Sequence, residues 1–294
     1  MTEPRLRIAA QKNGRLAEPS RGLLEQCGLR FSHSRDQLVC NAENFPVDLM
    51  LVRDDDIPDL LAEGMCDLGI VGENTAGEAA PEDRASGFTS LLRLNFGACR
   101  LAIAVPGDGK IRTIKNLQGK RIATSYPRLL RRFLQENGLE AHVVTLRGSV
   151  EIAPSLGNAD AIADLVSTGR TLEANRLREL ATVLESKAAL YQGERPRSAP
   201  VTAIAQRLLC RMEGVLQVRE SKYVMLHAPL ASLTQITALL PGAESPTVLP
   251  LEGENDRVAV HAVCREEVFW EHLEDLRAAG ASAVLVLPVE KMLA

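Results

Sequence analysis

Between Asp160 and Leu172 the chain reads DAIADLVSTGRTL, and the hydroxyls, glycine and acid in that run have the types and spacing to hold a phosphorylated sugar. Ala161, Ile162, Leu165 and Val166 have the apolar content of a buried parallel strand. A turn at Ser167, Thr168 and Gly169 follows, and Thr171 to Leu177 opens a helix. Free N–H groups at a helix start carry the positive end of its dipole and attract an anion. Gly169 lets the main chain approach that anion closely. Asp164 cannot hold phosphate, but a carboxylate accepts hydrogen bonds from sugar hydroxyls. An acid followed by Ser-Thr-Gly-x-Thr therefore points to a phosphorylated ribose; the alternative is an ordinary strand-to-helix loop with an N-cap.

Such a loop needs a sheet behind it, and the chain supplies alternating strands and helices, the α/β pattern. Strands are expected over Leu6–Ala10, Val47–Val52 and Asp67–Val71, with helices over Glu18–Cys27 and Ile57–Glu63. After Leu91 the pattern restarts: strands over Arg100–Val105, Arg121–Thr124, His142–Leu146 and Ala161–Val166, and a helix over Leu129–Asn137. Leu180–Tyr191 is again strand-like and is expected to return to the first lobe, leaving a ligand cleft between two lobes. A loop over Gln192–Ser198 precedes a helix over Pro200–Met212. From Ser221 the order becomes βαββαβ, the split pattern of a ferredoxin-like domain. The expected divisions are 1–95 plus 180–217, then 96–179, then 218–294.

Composition narrows the class. The chain has 294 residues, 46% hydrophobic and 24% charged, with 34 basic and 38 acidic residues for a net charge of −4. That balance, with aromatics at 3%, disfavours a nucleic-acid surface. No apolar stretch is long enough to span a bilayer and MTEPRLRIAA lacks a signal-peptide core, so a cytoplasmic protein is expected. The six cysteines form no CxxC pair and read as reduced, buried side chains. The histidines show no metal-ligand spacing, so a structural zinc site is not expected.

DLVSTGRTLEAN closely resembles the phosphoribosyl-pyrophosphate loop of the ATP phosphoribosyltransferases, which open histidine biosynthesis. The likeness extends to IAAQKNGRL, VRDDDIPDLLAEGMCDLGIVGEN, KRIATSYPRLLRRFL and GSVEIAPSLGNADAIADLVSTGRTLEANRLREL; ESKYVMLHAP and LPGAESPTVLPL resemble the C-terminal part of the long form. The resemblance implies a two-lobed catalytic part, like a type II periplasmic binding protein, followed by a ferredoxin-like regulatory domain. It implies transfer of 5-phosphoribosyl from phosphoribosyl pyrophosphate to N1 of ATP, with Mg²⁺ carried on pyrophosphate and L-histidine as feedback inhibitor. It also implies homo-oligomers, dimers that become hexamers.

Carried onto this sequence, Asp164, Ser167, Thr168, Gly169, Arg170, Thr171 and Leu172 are expected to bind phosphoribosyl pyrophosphate. Lys12, Gly14 and Arg15 follow the first strand, where side chains project into a cleft, and the two cations are assigned to pyrophosphate or triphosphate oxygens; otherwise they are solvated loop charges. Arg53 meets phosphate, pairs with Asp54–Asp56 or caps the helix that follows. Gly72 and Glu73 form a wall of the nucleotide site or a plain strand exit, and Arg100 and Tyr126 are further ATP contacts, with hinge packing as the alternative for Tyr126. Glu151 is expected as a second acid near the ribose, joining Lys12, Arg15 and Asp164 in catalysis; the alternative is a helix-start acid beside Ser149. The histidine contacts implied are His227, Glu244, Ser245, Thr247, Ala281 and Ser282. Two other readings stay open: a non-catalytic two-lobed subunit sensing an anion or amino acid, and a phosphoribosyltransferase for a free base. The latter commonly has two adjacent acids before the TGxT turn, whereas Leu165 and Val166 follow Asp164 here.

Overall fold

The structure is a computed structural model and describes residues 3–32, 37–81, 85–217, 221–240, 245–290 and 292. The chain forms two compact units, 1–205 and 206–294. In the first unit, β1 (Leu6–Gln11), α1 (Ala17–Gln26), β2 (Val39–Asn41), β3 (Val47–Val52), α2 (Ile57–Ala62), β4 (Leu68–Gly72), α3 (Glu73–Ala79) and β5 (Phe88–Arg93) build one lobe. The chain then crosses to β6 (Cys99–Pro106), β7 (Arg121–Thr124), α4 (Pro127–Glu136), β8 (His142–Thr145), β9 (Ala161–Val166), α5 (Arg170–Ala174) and β10 (Leu177–Ser186). It returns through β11 (Ala188–Gly193), and α6 (Ala199–Gln217) follows.

The first sheet has the order β2-β3-β1-β4-β11-β5, and the second β10-β6-β9-β7-β8. β1 is parallel to both β3 and β4, so the carboxyl ends of all three strands point to one edge. β11 runs antiparallel between β4 and β5. In the second sheet β9 is parallel to β7 but antiparallel to β6, so it sits in a mixed sheet, not a purely parallel one. Strands covered on both faces need apolar side chains throughout. In β6 and β9 the small Ala102 and Ala104 pack with Ile162 and Leu172 on one face, while Ile103, Val105, Ala161 and Ala163 pack with Leu130 and Leu134 on the other.

The crossings correct two expectations. The strand-like run Leu180–Tyr191 is two strands: β10 stays with the second sheet to Ser186, paired with β6 as far as Cys99, and the return begins at Ala188. No glycine or proline marks the switch, since both strands need the same β-forming residues. The two crossings are tied by Leu94 N–H to Ala188 O at 2.8 Å and Ala188 N–H to Phe96 O at 3.0 Å. The expected helix over Thr171–Leu177 ends at Ala174, because Leu177 already pairs with Pro106 in β10. The compact units divide after Ala205, inside α6.

In the second unit, β12 (Ser221–Pro229), α7 (Leu233–Leu239), β13 (Thr247–Leu251), β14 (Glu254–Arg265), α8 (Glu266–Glu271), α9 (Leu273–Ala278) and β15 (Ser282–Pro288) form an antiparallel sheet of order β13-β14-β12-β15. That is the ferredoxin-like order expected from βαββαβ. Val224, Leu226, Val260, Ile236, Phe269 and Leu276 fill the core between this sheet and its helices. Alternation along β12 puts Tyr223, Met225 and His227 on the opposite, helix-free face.

Candidate active site

The phosphate-binding run is built on the end of β9. Asp164 lies opposite Ala102 of β6, and its Oδ1 accepts the Leu165 N–H at 2.8 Å. Burial pushes its carboxyl above the usual range, the charge of Glu151 pushes the same way, and the Leu165 N–H offsets part of this. Two carboxylates near one another in a half-buried setting favour a cation or a developing positive charge between them. Glu151 stands in a short helical turn, Val150–Ile152, entered through Ser149 at φ +48°. Ser167, Thr168, Arg170 and Thr171 are exposed. Gly169 has φ +82°, and no side chain caps α5, which leaves the hydroxyls and first N–H groups to solvent or an anion. The Leu172 side chain turns instead into the core with Ala102 and Ile162, so only its backbone is available to a ligand.

The turn after β1 is held from below by Gln11. Its Oε1 accepts the Leu16 N–H at 2.8 Å, and a Cβ at Gly14, whose φ is +117°, would meet Gln11 Nε2 at 2.8 Å. The Lys12 N–H donates to Val52 O at 2.8 Å, which pins the turn to the end of β3; the Lys12 side chain is half-buried. Arg15 is exposed, and its Nη1 donates to Gly97 O at 2.5 Å. That contact docks the turn onto the first crossing, where a Cβ on Gly97 would lie 2.3 Å from Leu16 Cδ2.

The other expected nucleotide contacts have protein partners. Glu73 Oε2 accepts Arg93 Nη2 at 2.9 Å and the Lys187 N–H at 2.8 Å, tying the end of β4 to the second crossing. Arg100 grips Glu179 through Nε and Nη2, the shortest distance 2.6 Å, and that pairing holds the Glu179 carboxyl below its usual range. Gly72 is buried in β4, where a Cβ would press on Asn74 Oδ1 at 2.4 Å. Arg53 is exposed beside Asp54–Asp56, and its charge lowers Asp55, which burial and Asp54 raise. This places Arg53 close to those acids.

Tyr126 joins the lobes. Asn74, buried at the start of α3, donates from Nδ2 to the Tyr126 hydroxyl at 3.1 Å, while Ser186 Oγ donates to Asn74 Oδ1 at 2.8 Å. Burial raises the Tyr126 hydroxyl strongly; the Asn74 bond lowers it, and the charges of Asp54, Asp55 and Asp164 all raise it. Acids of both lobes thus bear on one hydroxyl. A second clasp was not foreseen. Glu78 of α3 accepts the Arg128 and Leu129 N–H groups of α4 at 3.0 Å each, and Arg128 Nη1 returns to Ala79 O at 3.0 Å. Pro127 at the start of α4 marks a helix N-terminus, but nothing local says that an acid from the other lobe caps it.

In the second unit a cavity of about 360 Å³ is lined by Tyr223, Ser245, Thr247, Leu249, His261 and Val263 among others. The expected Ser245 and Thr247 belong to it. Tyr223 and His261, hydrogen-bonded to each other through the hydroxyl and Nδ1, were missed. His227 lies opposite Ser282 of β15, outside this lining, and Ser282 Oγ accepts a bond from Arg257 Nη2. Ala281 packs against the core. Glu244 lies outside the described residues.

The family described as HisG: ATP phosphoribosyltransferase matches residues 53–214, and HisG, C-terminal domain, matches residues 219–291. An ATP phosphoribosyltransferase of Maricaulis maris (strain MCS10) is 55% identical over 291 residues, covering 99% of each chain. Among solved structures, the ATP phosphoribosyl transferase (HisG:HisZ) complex from Thermotoga maritima matches with a TM-score of 0.57 at 26% identity, covering 71% of this chain and 98% of that one.

Proposed function

The chain belongs to the ATP phosphoribosyltransferase family, and from that premise we propose that its chemistry takes place where the β9 loop, the β1 turn and Tyr126 converge. The reaction moves the 5-phosphoribosyl group of phosphoribosyl pyrophosphate to N1 of ATP. The N1 lone pair forms the bond to C1 of the ribose, and the C1–O bond breaks with its electron pair leaving on pyrophosphate. The protein needs no covalent nucleophile for this. It must align two polyanions, stabilise positive charge on the ribose ring and shield the leaving group.

The observation that carries the assignment is Asp164, a carboxylate raised by burial and by Glu151 at the mouth of the Ser167–Thr171 turn. Asp164 and Glu151 stabilise charge on the ribose, the turn and the α5 N–H groups take the phosphates, and Lys12 meets the leaving pyrophosphate. Arg15 and Arg53 lie exposed for phosphate oxygens. Gly14 and Gly72 shape the nucleotide wall, while Glu73 and Arg100 position it through Arg93 and Glu179. Mg²⁺ carried on the substrate's phosphates would neutralise the departing pyrophosphate, with the carboxylates of Asp164 and Glu151 nearest to the ribose.

The second unit is read as the regulatory domain, with L-histidine held by Ser245 and Thr247 in the cavity and by His227 and Ser282 on the neighbouring strands. Leu249, Leu285 and Leu287, exposed on the helix-free face of its sheet, support a homo-oligomer growing from dimer to hexamer. No helix among the described residues is long and apolar enough to cross a membrane, and a cytoplasmic place follows from biosynthetic chemistry on phosphorylated substrates. The test is pyrophosphate release with Mg²⁺, comparing ATP, adenine, orotate and no acceptor, each with and without L-histidine. Release with ATP alone, suppressed by histidine, is expected; release without an acceptor, or with orotate, overturns the acceptor assignment.

A further inference from the structure

The strand directions that gather the cleft at one edge of the first sheet gather a different set of residues at the other. Arg5 and Arg7 stand at the amino end of β1, Cys66 and Asp67 at the amino end of β4, and Arg195, Arg197 and Ser198 just beyond the carboxyl end of the antiparallel β11. A cavity of about 210 Å³ opens there, lined by four arginines and one carboxylate. β1 alone separates it from the Lys12 turn by about 20 Å.

The arginines are held in place without being used up. Arg7 Nη2 donates to Gly64 O at 3.0 Å, and its Nε lies 3.7 Å from Asp67 Oδ2, an oxygen that already accepts the Arg7 N–H at 2.8 Å. Arg195 lies over the same turn: Nε donates to Ala62 O at 3.1 Å and Nη2 to Glu63 Oε2 at 2.7 Å. Gly64 permits this, since a Cβ there would stand 2.6 Å from Arg195 Cδ. Arg5 is matched by Asp48 at 2.6 Å. Among the described residues Arg197 has no carboxylate partner; its Nη2 donates to the neutral Gln192 Oε1 at 2.6 Å, which leaves most of a five-donor fork open. Ser198 and Val201 bring the start of α6 to the same cavity, and its first turn carries no acid. Burial pushes the Cys66 thiol up to about 12, so it is a neutral wall and no nucleophile.

We propose that this arginine-lined cavity is a second anion site, separate from the catalytic cleft, that takes a small phosphate anion or the terminal phosphates of a nucleotide. Prefixed guanidiniums bind phosphoryl oxygens in pairs with little ordering cost. Equilibrium dialysis of labelled pyrophosphate against the full chain tests it, because the cleft and this cavity are counted together. The wild type is expected to bind two pyrophosphates, and Gly169→Glu, which blocks the catalytic loop, to keep one. Arg197→Glu is expected to keep the cleft site and its turnover while its second site weakens at least about tenfold. Arg197→Gln, with an unchanged melting curve, gives the same loss by removing charge alone. In Gly169→Glu, displacement by orthophosphate but not ATP identifies a free anion, and displacement by ATP identifies nucleotide phosphates. A wild type with one site that Gly169→Glu abolishes, or two sites intact in both Arg197 variants, overturns the proposal.

Discussion

Burial and Glu151 both raise the Asp164 carboxyl above its ordinary value of 3.8, so the folded chain holds that proton to higher pH than the unfolded chain does. Through the window from the ordinary value up to the raised one, the native state binds the extra proton and stability falls as pH rises. Above that window the ionised Asp164 is therefore a cost that folding carries for the sake of the ribose site. Asp164→Asn removes the charge and keeps an oxygen for the Leu165 N–H. Its melting temperature is expected to rise by about 2 °C while turnover drops at least about tenfold, read by calorimetry and initial rates. A lower melting temperature with full turnover would make the carboxylate purely structural. Glu151→Gln tests the pair from the other side. Without that neighbouring charge the Asp164 value falls, so the acid limb of the pH–rate profile moves to lower pH, and an unmoved limb with unchanged turnover would remove Glu151 from the site.

At the scale of elements, the clasp between α3 and α4 carries the next prediction. Glu78 caps the first turn of α4 and Arg128 caps the end of α3, one lobe closing the helix of the other. Glu78→Ala leaves two N–H groups of α4 uncapped at a cost of about 1 kcal/mol, a fall of about 2–4 °C in melting temperature. KM for both substrates rises more than kcat falls, because the clasp holds the lobes in register and does not touch the reacting atoms; a fall confined to kcat would contradict this. The clasp also shows what the sequence conceals. Asp164 to Thr171 is legible because strand, turn and hydroxyls are neighbours in the chain, and the alternation of strands and helices is legible for the same local reason. Arg15, Glu73 and Arg100 have residue types that suit a ligand, yet a residue type does not reveal that Gly97 O, Arg93 and Glu179 meet them in the fold. The late crossing at Ala188 and the Glu78 cap depend on pairings far apart in the chain, which leave no local period to read.

For the whole molecule, the question is whether catalysis and regulation reside in separable bodies. The second unit closes its own core around Leu226, Val260, Ile236 and Leu276, and the proposed ribose and phosphate contacts all lie before Ala205. A chain ended after Gln217 keeps all of α6 and both sheets of the first unit. Because both sheets of the first unit keep their own apolar cores, the shortened chain is expected to fold and to release pyrophosphate at a rate within roughly twofold of the full chain. It loses inhibition by L-histidine, since Ser245, Thr247 and His227 go with the second unit. It also loses the exposed Leu249, Leu285 and Leu287, so the number of copies per particle by light scattering falls below that of the full chain. Rate, inhibition and mass are read on one preparation. Inhibition that survives in a folded, active truncation would place the histidine site in the first unit and reduce the βαββαβ domain to an assembly module.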